Sequence, residues 1–410
     1  MKSAYCVNLG CSENMLDGAL ITEYLKTNDW QLADDPGSAD LIIVNSCGVT
    51  EASERRSLDT YRQLVHARPH ARVILAGCLP AINKSAVREA GYTGVRVTPR
   101  TLHALDAVTG AHVPLDSLRS GCVPVSSDQV GLSFSNPRHA AIQARLHRLA
   151  TALGRVAAVP VPRWLWQYRY YPDADTEFIR ISVGCMNQCS FCAIPRAKGR
   201  TRSVPEALVV DRVEDAVRRG KTDIALSCDE LASYGQDLNT NIAVLLDRLT
   251  SIPGDFRLSL RNVHPEWMIR YWPDVKPTFA RQKIAYALIP LQSGSDRLLS
   301  VMNRNHTAQQ YRRLIDDIRA TSPGTVLRTH LLVGYPGETD REFGETFEFM
   351  KRLRVDSFFV HVYSERSFTA SAGRSDRVPQ AVAQARAAQL RRLSRTTLCR
   401  PFRWLPLRPL

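Results

Sequence analysis

Three cysteines fall within eight residues, Cys185, Cys189 and Cys192, in the order C-x3-C-x2-C, directly after an apolar alternating run at 178–183. Sulfur ligands this close together in sequence read as a metal site. Structural zinc takes four ligands, usually as two C-x2-C or C-x2-H pairs, and no further Cys or His follows Cys192 within ten residues. Three thiolates on an iron–sulfur cubane leave one iron without a protein ligand, and an open iron is a place for chemistry. Zinc remains the alternative reading of the spacing.

A second set is spread out in sequence. Ala4 to Leu9, Leu41 to Val44 and Val73 to Ala76 read as short strands, and Cys11, Cys47 and Cys78 each follow one of them within a few residues. Helical patterns separate these strands; Leu16, Ala19, Leu20 and Tyr24, for example, fall on one face. Alternating strands and helices imply a parallel sheet, whose ligands gather at the carboxyl ends of the strands, so one edge can assemble three sulfurs. Buried cysteines that act only as small core hydrophobes are the other reading. The repeated strand-end position favours a site. Cys6, Cys122, Cys228 and Cys399 lack that pattern and read as structural.

The elements that must hold these residues form two blocks. Residues 1–110 read as a doubly wound parallel-sheet α/β domain. From 177 to 378, strands are expected near 178–183, 223–227, 256–260, 284–289, 326–333 and 357–363, with helices between most of them, which makes a six-unit partial βα barrel. The first cysteine triad follows its first strand, at the C-terminal mouth. Between the blocks, 111–176 is a linker ending in Trp164, Trp166, Tyr168, Tyr170 and Tyr171 interleaved with Arg163 and Arg169. That segment can stack on bases, but it reads more readily as linker packed on its own domain or as an edge strand. Residues 379–410 give a helix, Ala381 to Leu393, and an irregular tail. Gly334, Pro336 and Gly337 make a tight turn, and Thr339 with Glu342 forms a capping box ahead of Phe343, Phe347 and Met350. Arg196, Lys198, Arg200 and Arg202 form a basic loop beside the triad, suited to phosphates or a carboxylate, or simply solvated.

At 410 residues and 44% hydrophobic, the chain has ample material for two or three cores. Ten cysteines fall far below disulfide-scaffold density and favour a reducing, cytoplasmic setting; no apolar window is long enough for a membrane span or a signal h-region. The formal charge of +14 is scattered and gives weak support to a polyanionic partner.

The C-x3-C-x2-C run, with Phe191 before its last cysteine, resembles the signature of radical S-adenosylmethionine enzymes. The segments LGCSENMLDG, VNSCGVTEASERRS and AGCLP that precede it resemble the N-terminal domain of the methylthiotransferases, which modify tRNA or a ribosomal protein. IPLQSGSDRLLSVMNRNHT, LLVGYPGETDREFGETFEFM and VYSERSFTAS are similar to further blocks of that family, and the resemblance covers roughly 3–95 and 177–395. It implies two 4Fe-4S clusters. The one on Cys185, Cys189 and Cys192 would bind S-adenosylmethionine at its open iron and cleave it to a 5'-deoxyadenosyl radical. The one on Cys11, Cys47 and Cys78 would supply or relay sulfur, methylated by a first S-adenosylmethionine. Phe191, Gly334 and Pro336 are implied neighbours of the cofactor. A tRNA adenosine is the implied substrate, with a reductase or flavodoxin-type electron donor and a sulfur donor as partners. The same chemistry on a ribosomal protein, a peptide or a small metabolite is the alternative, and a non-catalytic iron–sulfur protein is the alternative of another class.

The chain departs from the family pattern in four places. Ser227-Cys228-Asp229-Glu230 stands where Gly-Gln-Asp or Gly-Gln-Asn is usual, Leu288 replaces a common His, and His330 replaces a common Asp. The run SRTTLCRPFRWLPLRPL, with three prolines, stands where many members continue into a TRAM barrel, so that domain is expected to be missing.

Overall fold

A computed structural model describes residues 2–119, 125–126 and 176–398. Thirteen strands fall in them: β1 Ser3–Asn8, β2 Gln31–Leu32, β3 Leu41–Ser46, β4 Arg72–Gly77, β5 Val125–Ser126, β6 Glu177–Arg180, β7 Ser182–Val183, β8 Arg202–Ser203, β9 Asp223–Ser227, β10 Arg257–Leu260, β11 Ile284–Leu288, β12 Val326–Val333 and β13 Ser357–Val362.

The first sheet is parallel throughout, in the order β2-β1-β3-β4. It is covered on both faces. One core gathers Leu20, Ile21, Tyr24, Ile43 and Ile74, and the other gathers Ile42, Val44, Leu58, Tyr61 and Leu75. Consecutive β3 residues Ile42 and Ile43 enter opposite cores, as the period of two requires of a strand buried on both sides. The first core runs past residue 110: Leu115 is fully buried in it, and Asn28 Oδ1 accepts the backbone N–H groups of His112 and Val113 at 2.8 and 2.9 Å.

The second sheet has the order β13-β12-β11-β10-β9-β6-β5. Six of its strands are parallel and stand in chain order, while β5 adds antiparallel to β6 at one edge, Val125 opposite Phe178. β13 and β5 remain the outer strands, so the barrel is open. The main core lies between these strands and the helices outside them, with Leu226, Leu258, Leu327, Leu331 and Val360 facing Leu246, Trp272, Ile315 and Leu390. The capping box at Thr339 and Glu342 is formed, and the last helix spans Gln380–Leu398. Cys122, Cys399 and the aromatic segment 163–171 lie outside the described residues.

The units meet directly. Met15, Leu16 and Ala19 of the helix Ser12–Thr27 pack on Phe178 and Ala225, which belong to the barrel's inner face. Glu54, on the helix Glu51–Ala67, is bridged by Arg366 at 2.9 Å.

Candidate active site

Because β1, β3 and β4 are neighbours, the residues just past their carboxyl ends lie side by side. Cys11 caps the helix Ser12–Thr27, Cys47 directly follows β3, and Cys78 starts the short helix Leu79–Ile82. Asparagines fix the spacing of these loops. Asn45 Nδ2 donates to Asn14 O at 2.6 Å and Asn8 Oδ1 at 2.8 Å, and Asn14 Nδ2 returns to Asn45 Oδ1 at 2.8 Å. Ser57 pins the Cys47 peptide at both ends, accepting its N–H at 3.0 Å and donating to its carbonyl at 2.9 Å.

The three thiols feel one another. Burial pushes Cys78 well above the ordinary thiol range, with Lys198 opposing and Cys11 and Cys47 adding to the rise. Cys11 keeps more solvent exposure, yet loss of surrounding water carries it up to about 11, with Lys198 opposing and Cys47 adding.

The second triad sits in the loop between β7 and β8. Gly184 opens that loop at φ +94, and a Cβ there would lie 2.4 Å from Arg200 O, so only glycine passes. Its N–H donates to Asp229 Oδ2 at 2.8 Å, and Cys185 N–H donates to Gly199 O at 3.1 Å. Burial raises Cys185, with Glu230 and the other two cysteines adding, and it carries Cys192 up to about 12 with Cys189 adding. Thiols buried this way stay protonated until a metal supplies positive charge. Among the described residues no three His, Cys, Asp or Glu side chains are gathered for a single metal ion. Three sulfur donors per group suit a cubane, whose irons spread their ligands wider than one ion does, and the donor set fits that cofactor.

Sequence reasoning passed over several groups here. Arg304 Nη1 donates toward Cys189 Sγ at 3.6 Å, and His264 Nε2 lies 3.7 Å from the same sulfur. Asn187 Nδ2 reaches Cys185 Sγ at 3.4 Å and is itself held by Trp267 Nε1 at 2.9 Å. Arg304 occurs in a block carrying the family resemblance, but spacing alone gives no sign that it or His264 would turn to sulfur.

Within the basic loop, Lys198 takes the carboxylate reading, while Arg196, Arg200 and Arg202 are exposed. Lys198 is 2% exposed and bridges Asp229 at 3.3 Å and Asp17 at 3.8 Å, while Arg180 pairs with Asp17 at 2.8 Å. A buried ammonium keeps its charge only with such partners. Arg196 lies over the Phe368 ring at 3.6 Å and donates to Ala81 O at 3.2 Å. The altered segment is likewise engaged: Asp229 holds Gly184 and Lys198, and Glu230 accepts from the N–H groups of Ala232, Ser233 and His264 at 2.7, 2.7 and 3.1 Å.

The short helix Ile194–Lys198, straight after Cys192, is the hinge of this arrangement. Ala193 and Ala197 pack on Cys78 and Ile82, so the two triads adjoin across one helical turn and a buried ion network. Phe191 packs with Leu298, Met302, Leu332 and Tyr335 on the mouth's other wall, and Ser190 Oγ meets Tyr335 OH at 2.8 Å. Gly334, at φ +73, is pressed on the last helix: a Cβ there would stand 2.5 Å from Ala383 Cβ. Its N–H donates to Glu338 Oε2 at 2.7 Å, and Pro336 follows in the same turn.

Two family models match the chain, the radical SAM superfamily over residues 179–350 and the uncharacterised protein family UPF0004 over residues 3–95. The chain is 30% identical over 411 residues to the ribosomal protein uS12 methylthiotransferase of Treponema denticola, covering 93% of this chain and 80% of that protein. It is 30% identical over 405 residues to the tRNA-2-methylthio-N(6)-dimethylallyladenosine synthase of Acidithiobacillus ferrooxidans, covering 95% and 81%. It is 27% identical to the probable threonylcarbamoyladenosine tRNA methylthiotransferase of Pyrococcus abyssi, covering 91% and 79%. Among solved structures, the radical S-adenosylmethionine methyltransferase TsrM of Kitasatospora setae shares the fold with a TM-score of 0.59 at 16% identity, covering 90% of this chain and 77% of that one.

Proposed function

This chain belongs to the radical S-adenosylmethionine methylthiotransferase family, and on that premise we propose that it places a methylthio group on an unactivated carbon of a tRNA adenosine. The enzyme uses S-adenosylmethionine and two 4Fe-4S clusters. Together these groups supply the radical that removes a hydrogen and the sulfur that takes its place.

The protein's part is to hold and separate the two tasks. Cys185, Cys189 and Cys192 are assigned to the radical cluster, with Phe191 and the Gly334–Pro336 turn beside the S-adenosylmethionine. Cys11, Cys47 and Cys78 are assigned to the cluster that carries sulfur. Arg304 and His264 address the Cys189 sulfur, where a cationic donor favours the thiolate. Lys198 acts on Cys11 and Cys78 from one side while bridging Asp229, whose charge also acts on Cys192. The observation that supports this reading best is that adjacency. Sulfur and radical sites that share a wall make the transfer effectively intramolecular.

A reductase or flavodoxin-type electron donor, a sulfur donor and a cytoplasmic setting complete the proposal; among the described residues no helix is long and apolar enough to cross a membrane. Mass spectrometry of tRNA nucleosides from cells lacking the gene, beside complemented cells, tests it. Loss and restoration of one methylthiolated adenosine is expected. An unchanged profile would refute the tRNA assignment.

A further inference from the structure

The three sulfurs of the radical triad differ in what lies behind them. Cys192 leads into the helix Ile194–Lys198 that abuts Cys78, and Cys189 faces Arg304 and His264, each 5% exposed. Cys185 is linked outward. Its Sγ accepts from Asn187 Nδ2 at 3.4 Å, Asn187 Oδ1 accepts from Trp267 Nε1 at 2.9 Å, and Trp267 stands in the first turn of the helix Pro265–Ala280. Two hydrogen bonds therefore join that sulfur to an indole that is only half-buried. Pro265 opens the helix, where its fixed φ suits the first turn, and the His264 N–H before it is tied to Glu230, so Trp267 is fixed against the triad.

Trp267 is one part of a larger face. Four residues on, Tyr271 falls on the same side of the helix and stacks on it, ring centroids 6.2 Å apart and planes within 12°. The exposed Arg270 guanidinium spans both rings, 5.6 Å from Trp267 and 5.7 Å from Tyr271, and bridges no carboxylate among the described residues. Gln236 Nε2 donates to the Tyr271 hydroxyl at 2.7 Å and so fixes the outer ring, and Leu238 in the same turn is 40% exposed. Tryptophan, tyrosine and arginine are the residues that most often anchor a protein partner, because they bring rigid area with a polar edge.

We infer that the Trp267–Arg270–Tyr271 face is where the electron donor docks, an acidic carrier protein presenting the edge of a flavin, and that the electron passes by Trp267 and Asn187 to the Cys185 side of the radical cluster. The inference rests on the radical reading above and adds a partner surface to it. One electron leaves the flavin, which is oxidised, and arrives at the cluster, which is reduced. Trp267 and Asn187 make and break no covalent bond and keep one redox state, so no further reactant is needed. The stacked rings offer a flat flavin edge an apolar seat, and the guanidinium answers acidic side chains around it. RNA bases could stack on the same rings, but base stacking gains nothing from an indole N–H tied through Asn187 to a cluster sulfur.

The test is reduction of the reconstituted full-length protein by a flavodoxin in its hydroquinone form, followed by stopped-flow absorbance and EPR, beside reduction by dithionite. Arg270→Glu, a change at the surface, should raise the flavodoxin concentration for half-maximal rate roughly tenfold and flatten its salt dependence, with the limiting rate and the dithionite rate unchanged. Trp267→Phe keeps a ring and removes the indole N–H. It should lower the limiting rate with flavodoxin several-fold relative to the rate with dithionite. Flavodoxin rates in both variants equal to those of the unaltered protein overturn the inference and leave the radical reading standing. Failure of flavodoxin to reduce the unaltered protein where dithionite succeeds does the same, as does unchanged reduction with weakened binding of an anticodon stem-loop RNA, which gives the face to the substrate. Absence of a reduced-cluster EPR signal from the unaltered protein with dithionite overturns both.

Discussion

Replacing Lys198 by methionine removes one buried charge with little change in volume, and its consequence can be worked from the ion network. Lys198, Asp17 and Asp229 have side chains 2%, 3% and 1% exposed, with Nζ 3.3 Å from Asp229 and 3.8 Å from Asp17. At 3.3 Å and an effective dielectric of 20, the attraction to Asp229 alone is about 5 kcal/mol before the cost of desolvation. Removing one partner strands the other, and such losses run to about 3–5 kcal/mol. For units of this size that is a fall of roughly 6 °C or more in Tm. Asp229→Asn keeps an oxygen for the Gly184 N–H and leaves Lys198 with Asp17, so it should cost less. The double variant should lose less than the sum of the two singles, with a coupling of about 1–3 kcal/mol, because each single leaves a charge that the double removes. Urea unfolding of the apo-protein and its three variants measures the cycle. Additivity to within about 0.5 kcal/mol would mean that the pair contributes no net interaction and that the seam is held by apolar packing alone.

Three further outcomes follow from named contacts. Reconstituted protein should hold about eight irons, and alanine at Cys11, Cys47 and Cys78 together should leave about four; an undiminished count removes the second cluster. Arg304→Met takes a cation away from Cys189 Sγ, so the radical cluster's reduction potential should move to more negative values in an EPR-monitored titration, and an unmoved potential would contradict the contact. Glu342 is held down to about 2, first by its hydrogen bond from Arg297, below its ordinary 4.5. A depressed carboxylate stabilises the fold above its unfolded pKa and loses that contribution as pH falls through its folded value. Apo-protein stability should therefore drop between about pH 4.5 and 2 more steeply than in Glu342→Gln. Arg297 is 53% exposed, so the difference should stay near 1 kcal/mol or below. Parallel pH curves for the two proteins would count against the pairing.

Strand periodicity carried most of the fold. The six expected barrel strands reappear within a few residues of their expected bounds, and the short apolar runs at 41–44 and 73–76 grow into β3 and β4. Runs buried on both faces are the clearest signal a parallel sheet gives, which is why Leu41 to Val44 was legible and the two-residue β8, and the break between β6 and β7, were not. The cysteines were legible because their positions repeat after strands. Which carboxylates Lys198 meets was not legible, because the sequence shows its basic neighbours, whereas its partners are Asp17, 181 positions earlier, and Asp229. Arg304 and His264 were missed for the same reason: a side chain's partner across a barrel mouth leaves no trace in local spacing.

The departures from the family pattern acquire meaning from where they fall. Asp229 and Glu230 are acids at the end of β9, and acids placed there would be costly in a closed, water-poor seam without compensation. Compensation is present for each, an ammonium for Asp229 and three backbone donors for Glu230. Leu288 and His330 lie on the barrel's inner face beside Arg328 and Tyr286. An acid at 330 would bring a carboxylate beside Arg328, whereas the imidazole that stands there is held neutral by burial.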